Sequence, residues 1–300
     1  MAQVTIENPV INSPFEEPAR HFKFDDEGIT DQIVAARRIS AYFIPIAQPR
    51  KKGNRQQQAF EEWTADRIKE SKTVNAIRQR VRLWREGGYP GVTRVTHRLL
   101  QHWKSTERRQ RLFFCQIEAL ETIIYIAEAA KKSGDVFIEN DLRRCNEDSN
   151  PGLLRIACKM ATGSGKTVVM AMAIAWQALN KLSNAQDARF TEAFLIVTPG
   201  ITIRDRLRVL LPNDPQNYYD KMDIVPPDLR NEMGKAKIVI TNYHAFIRRE
   251  KFGAGKVTKS ILSHGHGDTS VFTESEGEMV RRCVIVRGWS LHCSGEGHFR

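Results

Sequence analysis

Apolar residues return at helical spacing in residues 56–86, where Ile77, Val81 and Trp84 share one stripe and Arg78, Arg82 and Arg85 another. Such a helix lays its apolar stripe on a core; its basic face is either solvated or turned toward a nucleic acid. Residues 1–50 show no such period. Pro9, Pro14, Pro18, Pro45 and Pro49 interrupt them, and only short apolar runs such as residues 42–46 suit strands. Arg50-Lys-Lys-Gly-Asn-Arg55 reads as an exposed basic turn, Gly87-Gly-Tyr-Pro-Gly91 ends the first helix, and residues 92–111 read as a second basic helical region.

From Phe113 the pattern changes. Residues 113–132 predict a strongly amphipathic helix closed by Ser133-Gly134. Residues 139–151 are polar and read as a loop, and residues 153–159 alternate like a strand. Residues 168–182 are apolar nearly all round, which predicts a buried helix. Residues 193–197 read as a buried strand ended by Thr198-Pro-Gly200, and residues 238–241 as another. Strand, loop, helix and strand in that order predict a parallel α/β sheet. Residues 252–268 read as a loop, and Ser275-x-x-Glu278 can cap a short helix.

Composition narrows the class. Hydrophobic residues at 41% and charged residues at 27% are enough for a globular core. The longest apolar run, residues 168–175, is too short to span a bilayer, and the first ten residues carry no signal-peptide pattern, so no membrane partner is expected. Five cysteines without a CxxC pair suit reduced thiols and a cytoplasmic location. Cys283, His292, Cys293 and His298 match no zinc spacing, and His264-Gly-His266-Gly-Asp268 is too sparse for a metal site. A net charge of +11 favours a polyanionic partner.

The sharpest chemical signal is Met160-Ala-Thr-Gly-Ser-Gly-Lys-Thr167. Gly163 and Gly165 let a loop curl so that successive backbone N–H groups point inward at an anion. A helix starting near Lys166 adds the positive end of its dipole. Lys166 brings an ammonium to the β- and γ-phosphates, and Thr167 offers a hydroxyl to Mg²⁺. Ala161, Thr162, Gly163, Ser164, Gly165, Lys166 and Thr167 are therefore the candidate nucleotide-binding residues, with Lys166 and Thr167 catalytic and Thr167 the metal ligand. The general pattern has Gly where Met160 stands.

Ala161-Thr-Gly-Ser-Gly-Lys-Thr167 resembles the loop of superfamily 2 helicases of the DEAD/DEAH type, and three further segments support the resemblance. Phe113-Phe-Cys-Gln-Ile-Glu-Ala119 is similar to the Q-motif region, which implies that Gln116 reads adenine through paired hydrogen bonds. Phe194-Leu-Ile-Val-Thr-Pro-Gly200 with Ile201-Thr-Ile-Arg-Asp-Arg206 looks like motif Ia. That implies backbone-phosphate contacts from Thr198, Pro199, Gly200 and Arg204. Ile238-Val-Ile-Thr-Asn-Tyr-His-Ala-Phe246 resembles the later Thr-rich strand end, which implies nucleic-acid contacts from Thr241 and Asn242. With Asn12-Ser-Pro-Phe-Glu-Glu-Pro-Ala-Arg-His-Phe22 and the long basic lead-in, the chain most resembles the N-terminal part of type III restriction endonuclease R subunits.

The resemblance implies a P-loop NTPase of α/β class: an incomplete first RecA-like domain with a parallel sheet, preceded by a helical basic N-terminal region. The expected boundaries are 1–110, 111–282 and an atypical tail over 283–300. It implies ATP and Mg²⁺ as cofactors, double-stranded DNA as partner and a modification (methyltransferase) subunit beside it. Hydrolysis in this family also needs an Asp-Glu-x-His motif, and none follows the phosphate loop. The expectation is thus a chain truncated, through a frameshift near residue 283, before that motif. Two functions stand: an ATP-dependent DNA translocase segment, or an inactive ATP- and DNA-binding fragment. A small-molecule kinase fits less well, because such enzymes usually carry Gly where Met160 stands and do not need the Thr198 and Thr241 strand ends.

Overall fold

Ile77, Val81 and Trp84 are the buried residues of helix α1 (Lys72–Glu86), the stripe that the spacing predicts. The computed structural model describes residues 6–25, 28–43, 68–152, 154–247, 274–275 and 277–279. Residues 56–67 of the expected first helix lie outside these, and Ile68–Glu70 is a strand, not helix. That strand, β4, pairs antiparallel with β3 (Ala41–Phe43), Tyr42 opposite Lys69. Ser71 N–H extends the ladder by donating to Ser40 O at 2.8 Å, so the helix starts only after Ser71. Strands β1 (His21–Asp25) and β2 (Gly28–Val34) form another antiparallel pair, His21 opposite Val34.

The chain divides into two compact units, Met1–Lys166 and Thr167–Arg300. In the first, α2 (Arg94–Lys104) buries Thr96, Leu99, Leu100 and Trp103, and Thr93 caps it by accepting from Thr96 N–H at 3.1 Å. Helix α3 (Phe114–Ile124) buries Leu120 and Ile124, continues through a π-helical turn at Tyr125–Ala129, and the segment ends at Gly134 with φ +83°. Trp84 packs edge-on to Tyr89 with ring centroids 4.8 Å apart and lies 5.3 Å from Tyr125.

Two further expectations fail in this unit. Residues 139–151, read as a loop, lie mostly in helix α4 (Val136–Ser149). Its one buried apolar residue is Ile138, so no stripe shows in the sequence; Glu139–Arg143 and Asp141–Arg144 pairs support its polar surface. Residues 154–159, read as a strand, are exposed and irregular. Alternation is not enough where no described strand lies beside it. Arg155 N–H instead donates to the Asn146 side chain at 2.9 Å, which ties the segment to the end of α4.

The second unit contains nearly all of helix α5 (Lys166–Ser183), as apolar and buried as expected, with Trp176 edge-on to Phe190 at 5.8 Å. Strand β5 (Ala193–Thr198) pairs parallel with β6 (Lys237–Asn242), with Phe194 opposite Ile238 and Thr198 opposite Asn242. The parallel pairing is as predicted, but β5 is not buried: Leu195 and Val197 are exposed. They alternate onto the face opposite Phe194 and Ile196, and that face is open to solvent. Helix α6 (Ile201–Arg206) follows β5 and packs on β6, and two single-turn helices, α7 (Tyr218–Lys221) and α8 (Arg230–Met233), precede β6. Ser275 and Glu278 make the expected capping box, Ser275 N–H donating to Glu278 Oε2 at 2.8 Å and Glu278 N–H to Ser275 Oγ at 3.3 Å. Residues 252–268 and the tail with Cys283, His292, Cys293 and His298 lie outside the described residues. Among the described residues no helix is long and apolar enough to cross a membrane.

Three buried phenols set an alkaline limit. Burial pushes the Tyr89 phenol far up, with the neighbouring Glu121 carboxylate adding to it. Burial, then Asp135, pushes Tyr125 up to about 12, and burial raises Tyr219. A raised folded pKa means stability that is complete below the unfolded value of 10.0 and is lost as pH climbs through the folded values. The melting temperature should therefore hold up to pH 10 and fall steeply between pH 10 and 12. A pH series of thermal melts checks this; a flat profile would contradict it.

Candidate functional site

Residues 161–166 form a tight loop that opens α5. Gly163 and Gly165 both have φ +80°, a conformation that a residue with a Cβ rarely adopts. The space where a Gly163 Cβ would lie is open, so the backbone conformation, not crowding, demands glycine there. The loop closes on the Ala161 carbonyl, which accepts from the Ser164 hydroxyl at 2.7 Å and from the Lys166 ammonium at 2.7 Å. No carboxylate among the described residues pairs with Lys166. An exposed ammonium, left-handed glycines and a helix start converge on one loop, and that donor set fits a polyphosphate. Thr167 is the second residue of α5 and opens the second unit.

Gln116 is brought to this loop. It is buried, and its side chain donates to Ser164 O at 3.0 Å while accepting from Phe113 N–H at 2.9 Å. One amide hydrogen and one lone pair of the carbonyl oxygen are thereby used. The other hydrogen and the other lone pair form a donor–acceptor couple of the kind that an adenine edge matches.

The predicted nucleic-acid residues gather at one end of the parallel pair in the second unit. The register sets Val197 against Thr241 and Thr198 against Asn242, so two segments far apart in sequence end side by side. Thr198 and Thr241 are buried, and the Thr198 hydroxyl is placed to donate to Gly200 O at 3.0 Å or Thr241 O at 3.3 Å. These two threonines hold the strand ends together. Pro199 is exposed, and Gly200 at the start of α6, Arg204 and Asn242 are half-buried. Arg204 pairs with its neighbour Asp205 at 3.0 Å, and Asn242 caps the following turn by accepting from Ala245 N–H at 3.2 Å. Among the described residues no cluster of three or more His, Cys, Asp or Glu could hold a metal.

Two contributors were not legible from sequence. Pro14 O accepts from Phe114 N–H at 2.8 Å, and Arg37 bridges Glu17 and Glu118. The one available signal was the Asn12–Phe22 pattern, which sequence could match to a family but not explain.

A family model described as "Type III restriction enzyme, res subunit" matches residues 53–273, most of the chain. No curated protein and no solved structure matches it.

Proposed function

Since the chain belongs to the type III restriction enzyme res subunit family and has its P-loop helicase fold, we propose that it is the ATP-binding motor segment of a restriction-type DNA translocase. Members of this family generally use ATP with Mg²⁺. The observation that carries the reading is the Lys166 ammonium, partnered by a loop carbonyl and by no described carboxylate, at the mouth of a left-handed glycine loop.

On nucleotide binding, Lys166 exchanges Ala161 O for the β- and γ-phosphates, and the loop amides bind the remaining oxygens. Gln116 uses its second hydrogen and second lone pair on adenine. The Thr167 hydroxyl would hold Mg²⁺, which when bound would supply charge neutralisation at the terminal phosphates. Lys166 stabilises the negative charge that spreads over the transferred phosphoryl group. Double-stranded DNA meets the strand ends through Pro199, Gly200, Arg204 and Asn242, with Thr198 and Thr241 setting their geometry. A methyltransferase subunit beside the chain and a cytoplasmic location, where ATP and DNA meet, complete the proposal.

A second reading is binding of ATP and DNA without turnover. It is favoured by the absence, among the described residues, of any carboxylate contacting Lys166 or Thr167. ATP hydrolysis by the purified chain, with and without duplex DNA, separates the two. Turnover that rises with DNA supports the motor. ATP binding without turnover supports the second reading, and no binding of ATP sinks both.

A further inference from the structure

Helix α3 carries Gln116, and the apolar side chains of its first half, Phe114 and Ile117, are only half-buried. From Phe114 to Ala119 the one buried side chain is Gln116 itself; Leu120 and Ile124 enter the core only later. An amide contact such as Gln116 Nε2 to Ser164 O at 3.0 Å tolerates little movement. Rotating the helix by about 10° carries an atom about 6 Å from its axis by about 1 Å, enough to break the bond. The contacts that fix the start of α3 therefore set the position of the amide.

The N-terminal segment supplies them at two points. Pro14 O accepts from Phe114 N–H at 2.8 Å, which satisfies one of the helix's otherwise unpaired first-turn donors. Beside it Phe15 packs on Phe113 with centroids 5.8 Å apart, and the Arg111 guanidinium lies 4.5 Å over the Phe15 ring. One turn along α3, Arg37 grips Glu118 with both fork nitrogens, at 2.7 and 2.6 Å, while Glu17 holds Arg37 at 2.8 Å and Arg85 at 3.3 Å. The Phe114 ring lies between the two arginines, 5.6 Å from Arg37 and 5.0 Å from Arg85. Asn12 shapes the segment, accepting from Ala19 and Arg20 N–H at 3.0 Å each and donating to Arg20 O at 2.9 Å.

We infer that residues 12–17 and Arg37 form a clip that sets the Gln116 amide against the phosphate loop, which makes Phe15 and Glu17 positioning residues of the nucleotide site. The inference rests on the nucleotide-binding reading above. It gives the Asn12–Phe22 pattern a physical purpose: the segment holds the base-reading side chain in register with the phosphate-reading loop.

The test compares two probes on the full chain, ATP and inorganic tripolyphosphate, by equilibrium titration. The loop reads tripolyphosphate without Gln116, whereas ATP needs both. In the Phe15→Ala/Glu17→Gln variant, ATP affinity should fall about tenfold, the worth of one or two hydrogen bonds, with tripolyphosphate affinity within about twofold of wild type. Phe15→Tyr, which keeps the ring, should behave as wild type. If the double variant does not fold, Glu17→Gln alone should show the same selective loss, to a smaller extent. Unchanged ATP affinity, or equal loss of both probes, would overturn the clip. Wild-type chain that binds neither probe would overturn the nucleotide-binding reading and the clip with it.

Discussion

Lys166→Ala is expected to lower ATP turnover by roughly 10²- to 10³-fold, the cost of removing one preorganised charge donor from a developing oxyanion. The side chain is exposed, and among the described residues it donates to Ala161 O at 2.7 Å, within its own loop. Its loss should therefore leave the melting temperature nearly unchanged, since surface substitutions usually change stability by less than about 0.5 kcal/mol. The separation matters: a chain that folds as wild type and loses phosphate chemistry has lost a functional group, not its fold. Steady-state turnover and nucleotide titration, run beside a thermal melt, read the two effects independently. Turnover at more than half the wild-type rate would show that the ammonium does not act on the transferred phosphate. In a chain that binds without turnover, the same substitution should appear as a comparable drop in affinity for ATP and tripolyphosphate alike.

The second large effect concerns stability. Glu121 is fully buried in α3, where it accepts from the Tyr89 hydroxyl at 2.5 Å and from Arg85 Nε at 2.8 Å. Glu121→Ala leaves Arg85 largely enclosed, with Glu17 at 3.3 Å and Glu118 at 3.9 Å as its remaining counter-charges. It also strips the partner from Tyr89, an aromatic residue held at φ +64° after Gly87-Gly88. Removing one member of a buried charged pair costs about 3–5 kcal/mol, a large share of a domain's stability. Glu121→Gln, which retains an acceptor of the same size, should lose clearly less. Urea denaturation of the three proteins gives the ordering, and equal stability of wild type and Glu121→Ala would contradict it.

These two residues also mark what sequence could and could not disclose. Lys166 was legible because a phosphate loop is a local device: two glycines, a lysine and a helix start within six positions dictate their own geometry. Helix α5 was legible because it is apolar all round, and β5 and β6 because short apolar runs ended at Thr198 and Asn242. Helix α4 was missed because it buries one apolar residue, Ile138, and a single anchor makes no period. Residues 154–159 alternate correctly but have no described strand beside them, so pattern without pairing misled. Arg37 and Glu118 lie 81 positions apart, and a charge pair at that separation leaves no trace in local spacing. The roles of Thr198 and Thr241 were half legible: their place at the strand ends could be read, their burial between the strands could not.

The open face of β5 has a consequence for the protein outside its binding sites. Ala193–Thr198 is an uncharged run of β-favouring residues, and among the described residues it pairs on one edge alone, with β6. Leu195 and Val197 face water from it, 41% and 48% exposed. A short, uncharged strand with a bare edge and a greasy face is the geometry from which chains stack into cross-β aggregates. The strand that ends at Thr198 is thus also a place where the protein's solubility is at risk, and Val197→Lys is the substitution that would guard it.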